Sequence, residues 1–212
     1  RLGTVEKRFL INYAVEPTLL QFMVPPGSEL SLFKRKAWLS ACFVTMNDMR
    51  PSFVNSKLGM SYHYLIFRTR ARLLFPDGKL RDSVLVLDPN INKTLLALGG
   101  TILTKIKFSK KNIQFSESQN QFKISMQARV HGNLEFDADI SSKFSSDISK
   151  SSLFESVKEA DDFLLGVSFG GQWNKSKNQL YLLPETHEPW VTFAGECCTC
   201  LLYTSDAADD SL

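Results

Sequence analysis

The chain has 212 residues, a net charge of +3 and an apolar content of 43%, a composition that excludes a disordered polyelectrolyte and a fibrous repeat. That charge is too small for a basic nucleic-acid groove, and no run of roughly 18 or more apolar residues exists to cross a bilayer, so neither a nucleic-acid nor a membrane partner is expected. Four cysteines without framework spacing fit reduced thiols and a cytoplasmic location.

Glu6 to Val15 reads as a first strand, and Pro17 to Met23 as a short helix with proline in its first turn. Leu30 to Phe33 and Ala37 to Met46 are strands about the turn Lys34-Arg35-Lys36, and a loop from Asn47 to Lys57 follows. From Tyr62 to Leu74 the chain alternates, with His63, Leu65, Phe67, Thr69, Ala71 and Leu73 on an apolar face and Arg68, Arg70 and Arg72 on a cationic one, which reads as a solvated outer face. Asp77-Gly78 supplies a tight turn into Leu80 to Asp88; a two-residue loop would set Ala71 against Val84, Thr69 against Val86 and Phe67 against Asp88.

Asn90 to Leu98 has helical content that Gly99-Gly100 would cap. Ile102 to Phe108 returns to a strand pattern, and Ile113 to Glu117, Gln121 to Val130 and Leu134 to Ile140 form a meander with turns between them. A polar loop precedes a helix that starts at Ser152, with Glu155 placed to complete a capping box and Leu153, Val157, Ala160 and Leu164 as its apolar stripe. Val167 to Trp173, Gln179 to Pro184 and a start at Trp190 are the last strands. The run from Cys200 to Asp210 reads as the translation of a sequencing adapter, so residues 200–212 are expected to be a scar on a metagenomic fragment. Residues 1–199 are then one domain whose native C-terminus lies beyond, with a charge of +6 once Asp206, Asp209 and Asp210 are removed. Many strands joined mainly by hairpins, with few short helices, predict a mainly β (α+β) fold: an antiparallel barrel with helices packed on it.

No nucleophile elbow, phosphate loop or zinc-protease helix motif occurs. Cys197, Cys198 and Cys200 with His187 lack metal-ligand spacing, so neither a metal nor another cofactor is expected. His63 and Asp88 are polar groups near the two ends of the apolar face of the central hairpin, placed to orient a ligand together with Phe67, Arg68 and Lys105. Lys105 and Lys107 share a strand face, and Lys110-Lys111 follow; an amine held in an apolar site loses its proton readily and attacks carbonyls.

Asp48-Met49-Arg50-Pro51, Leu58-Gly59-Met60-Ser61, Phe67-Arg68-Thr69, Gly170-Gly171-Gln172-Trp173 and His187-Glu188-Pro189-Trp190 together resemble a family of uncharacterised bacterial proteins, domain of unknown function 2071. The resemblance implies the fold of acetoacetate decarboxylase, a β-barrel enclosing a cavity, in which the first lysine of a Gly-Phe-Pro-Lys-Lys motif forms an imine and a glutamate assists. Lys107-Phe108-Ser109-Lys110-Lys111 keeps the phenylalanine and both lysines but not the glycine and proline, and no glutamate lies between Glu29 and Glu117. The implied catalytic residues are Lys110 and Lys111. Three readings follow: a barrel that binds a small, partly apolar molecule in its interior, a Schiff-base decarboxylase or lyase acting on a small keto acid, or an interaction module without a ligand. A homo-oligomer is left open.

Overall fold

The alternating stretch in the middle of the chain forms the strand on which the larger sheet is built. The computed structural model describes residues 2–50, 55–129, 133–150, 152–167, 169–184 and 191–204. In order these give β1 (Leu2–Val15), α1 (Thr18–Gln21), β2 (Glu29–Leu30), β3 (Ala37–Arg50), β4 (Met60–Leu74), β5 (Leu80–Ile91), α2 (Thr94–Thr104), β6 (Ser109–Lys110) and β7 (Asn112–Glu117). There follow β8 (Gln121–Arg129), β9 (Asn133–Ser145), α3 (Val157–Leu164), β10 (Phe169–Asn174), β11 (Gln179–Pro184) and β12 (Ala194–Thr204). The larger sheet runs β1-β3-β4-β5-β10-β11, with β2 on β4 and β6 on β5, and the smaller runs β12-β9-β8-β7. The fold is mainly β, as expected. Among the described residues neither sheet closes on itself.

The two sheets pack face to face. Ala41, Phe43, Leu65 and Phe67 of the larger sheet meet Ile113, Phe122, Ile124, Met126, Phe136, Ala138 and Ile140 of the smaller, all buried. Each large side chain among them contributes about 1.5–3 kcal/mol by leaving water. Only Lys111 separates β6 from β7, so the chain passes directly from one sheet to the other on that side. On the opposite side the outer edges of β1 and β12 pair with nothing among the described residues.

Several expectations are corrected. The sheet is mixed, because β6 and β10 run parallel to β5, and each is reached through a helix, as a parallel neighbour requires. The hairpin loop is Pro76-Asp77-Gly78, closed by Phe75 N donating to Lys79 O at 2.9 Å, so Ala71 faces Ser83 and Thr69 faces Leu85. A bulge at Leu87 then restores Phe67 opposite Asp88. Residues 102–104 are helical, with Gly99 and Gly100 inside α2 and the left-handed cap at Lys105, φ 63°. Gly100 sits where a Cβ would come within 3.2 Å of the Phe108 ring, so the glycine serves close packing and does not end the helix. The N-cap of α3 is Ser156, which accepts from Glu159 N at 3.1 Å while Glu159 accepts from Glu155 N at 2.7 Å. The serine and glutamate pairing expected at Ser152 and Glu155 thus occurs one turn later, at Ser156 and Glu159, with the carboxylate reaching the residue before the N-cap. It shifts because Phe154 is drawn out of helical register onto Trp38 and Phe33, with centroids 4.6 and 4.5 Å apart.

The cationic face of β4 is corrected most. Arg72 is exposed and paired with Glu29 at 2.6 Å, but Arg68 and Arg70 keep only 6% and 7% of their surface. The Arg70 guanidinium lies 5.6 Å from the Phe163 ring centroid, so α3 covers a face that the strand pattern alone reads as solvated.

Candidate functional site

An edge strand with no second neighbour exposes both rows of its side chains and its outer backbone groups. β1 is such a strand, and Lys7, Phe9 and Ile11 of one row and Arg8, Leu10 and Asn12 of the other all line a single cavity of about 740 Å³. Phe122 of β8 and Ile140 and Phe144 of β9 form a second wall. α3 contributes Val157, Ala160, Asp161 and Leu164 to a third, with Trp38 and Phe154 beside it. Segment 191–195 and Cys197 also line it, as do residues of the segment before α3. The cavity thus occupies the seam at which the two sheets fail to join.

Most of its lining is apolar, and the polar groups are few and held in place. Asn12 Oδ1 accepts from Ser40 Oγ at 2.6 Å, and its amide nitrogen donates to Leu10 O at 3.1 Å. Lys7 is paired with Glu117 and lies 5.2 Å from the Phe122 ring centroid. Thr192 Oγ1 donates to Asp161, which ties the segment entering β12 to α3. No nucleophile hydrogen-bonded to a base occurs among these contacts, and no cluster able to hold a metal ion is found among the described residues.

The residues proposed from sequence lie elsewhere. His63 is half-buried on the inner face, with Nδ1 3.2 Å from Thr45 Oγ1 and its ring stacked on Phe43 at 5.6 Å. Burial lowers its pKa, against an upward pull from Glu6. Asp88 accepts from the Asn90 amide at 2.9 Å, and Phe67 packs edge-on against Phe136 at 5.8 Å. Arg68 is buried on the opposite face, with Nη2 lacking a partner, and Lys105 is exposed at the end of α2. Lys110 is exposed and Lys111 half-buried, where β6 passes into β7. The structure brings Phe67 and Asp88 together in register and places none of these seven residues on the cavity. His187 and the run Glu188-Pro189-Trp190, like Pro51, lie outside the described residues. Sequence reasoning missed β1 and Trp38 as lining. The usable signal is the stripe Val157, Ala160 and Leu164, which all turn toward the cavity.

The sequence matches a family model described as an uncharacterized conserved protein, domain of unknown function 2071, over residues 4–208. No curated protein matches it. Among solved structures, the crystal structure of acetoacetate decarboxylase from Legionella pneumophila subsp. pneumophila str. Philadelphia 1 is similar, with a TM-score of 0.52 and 13% identity over 78% of this chain and 55% of that one. The chain spans about half the length of that enzyme, and at this identity the likeness is one of fold.

Proposed function

We propose that this chain, which belongs to the domain of unknown function 2071 family, binds a small, partly apolar molecule in the seam between its two sheets. One observation carries the reading: a largely apolar cavity of about 740 Å³ with a few fixed polar groups, a size and chemistry that suit a small-molecule site. A site deeper between the sheets is disfavoured, because Phe43, Leu65, Ile124, Met126 and Phe136 have no exposed surface and already fill that space. The barrel expected from the fold likeness is here proposed as two halves, joined through β6 and β7 and parted where the ligand enters. The test is native mass spectrometry of freshly purified protein, with Ala160→Trp as a variant that fills the cavity from α3. A retained small molecule in the wild type, lost from Ala160→Trp at an unchanged melting temperature, is expected. A clean apo mass together with equal binding of the apolar dye anilinonaphthalene sulfonate by both proteins would refute the assignment.

A further inference from the structure

α2, which lines no part of the cavity, is apolar on its buried and its exposed side alike. Its sequence TLLALGGTILT contains no charged residue. Ala97 is buried and Gly100 packs on Phe108. On the opposite side Leu95, Leu98, Ile102 and Leu103 keep 74%, 59%, 78% and 69% of their surface. A soluble helix normally turns charged or polar residues outward, so four adjacent, largely exposed aliphatic side chains mark an interaction surface.

Along the chain, the charge flanking this patch has one sign. From Pro89 to Ser116 the sequence contains Lys93, Lys105, Lys107, Lys110 and Lys111 and no acidic residue, and the first four of these are exposed. One bond ties the helix to the segment that follows it: Thr101 Oγ1 accepts from Phe108 N at 3.0 Å.

We infer that α2 is an anchor to an anionic lipid surface, its four aliphatic side chains entering the headgroup boundary and the surrounding lysines meeting acidic headgroups. No helix among the described residues is long and apolar enough to span a membrane, so α2 lies on the surface, in the manner of an interfacial helix. A second copy of the chain is the less favoured occupant, because a two-fold pairing through α2 would set two lysine rims against each other. The patch, on the order of 500 Å², is also smaller than the ~800 Å² that each partner of a standard interface buries.

The test is cosedimentation with vesicles of phosphatidylcholine alone and of phosphatidylcholine with phosphatidylglycerol in equal parts. Binding to the mixed vesicles at least tenfold tighter than to the neutral ones is expected. Leu98→Asp/Ile102→Asp, at exposed positions, is expected to reduce it at least tenfold, and Lys93→Gln/Lys107→Gln about thirtyfold, the worth of two lysines at an anionic surface. Melting temperatures check that the variants fold. Absence of wild-type binding to the mixed vesicles would overturn the inference. So would self-association without lipid, seen by light scattering, that Leu98→Asp/Ile102→Asp abolishes, since that outcome assigns the patch to a second copy.

Discussion

His63 and Arg68 stand on opposite faces of β4, and each is a polar group drawn in among apolar neighbours. For His63 the consequence is a pH dependence. Burial lowers its folded pKa below the ordinary value of 6.5, so as pH falls through that value the unfolded chain takes up a proton that the folded one refuses. Stability then declines with falling pH until the folded pKa is reached, and is level below it. His63→Gln, which keeps a polar side chain beside Thr45, is expected to show a shallower loss of melting temperature between pH 7 and pH 5 than the wild type, in thermal scans at matched ionic strength. Equal slopes would place the titrating group elsewhere. The face of each residue was legible from the alternation of the strand, since period two assigns His63 and Arg68 without reference to the rest of the chain. What covers each face was not legible: Arg70 is buried against Phe163 of α3, an element some ninety residues downstream that no local pattern connects to β4.

At the scale of elements the central hairpin shows the same division. Asp77-Gly78 announced the turn, yet the loop has three residues, and its register differs by one from a two-residue loop until Leu87 bulges out. Loop length follows from closure at Phe75 and Lys79, and Phe75 is fixed by burial against Phe169 at 4.9 Å, a long-range contact. Gly78 has φ +76° with open space where a Cβ would project, so the cost of a side chain there is purely conformational. Gly78→Val is expected to lower stability by about 1–2 kcal/mol, read as a lower urea midpoint at unchanged slope. A wild-type midpoint would mean that the turn relaxes into another form. The other element in question is β12. Its backbone pairs with β9 through Thr204 opposite Leu134, five residues beyond the boundary that the adapter-like run suggests. We propose that these residues add little. β9 keeps β8 along its other edge, and the backbone groups freed on removing residues 200–212 face water. A chain ending at Thr199 is expected to melt within about 3 °C of the full chain, the shift that 1 kcal/mol makes at this size; a larger loss would identify Cys200 to Thr204 as a stabilising edge of the sheet.

For the molecule as a whole, strand content was legible because hydrophobic period and turn residues are local, whereas the cavity was not, because it exists only where two sheet edges fail to meet. Phe9 and Ile11 belong to a stretch that reads in sequence only as a strand, and nothing in β1 marks its outer edge as unpaired. The same geometry bears on the lysine chemistry implied by the family resemblance. An amine that condenses with a keto acid must be held beside the bound carbonyl, in a site that excludes water and orients the attack. Lys110 is exposed, its β6 paired through Ile91 to the edge of β5, and it lines no part of the cavity. Lys111, half-buried, lies at the joined side of the sheets while the cavity lies at the parted side. Trapping with acetoacetate and borohydride, followed by peptide mapping of the wild type and Lys110→Ala, is therefore expected to give either no label or a label scattered over many exposed lysines, alike in both proteins. A label confined to Lys110 in the wild type and absent from the variant would reverse this. It would require a substrate site at the joined side of the sheets and would assign the chain to imine chemistry in place of simple binding.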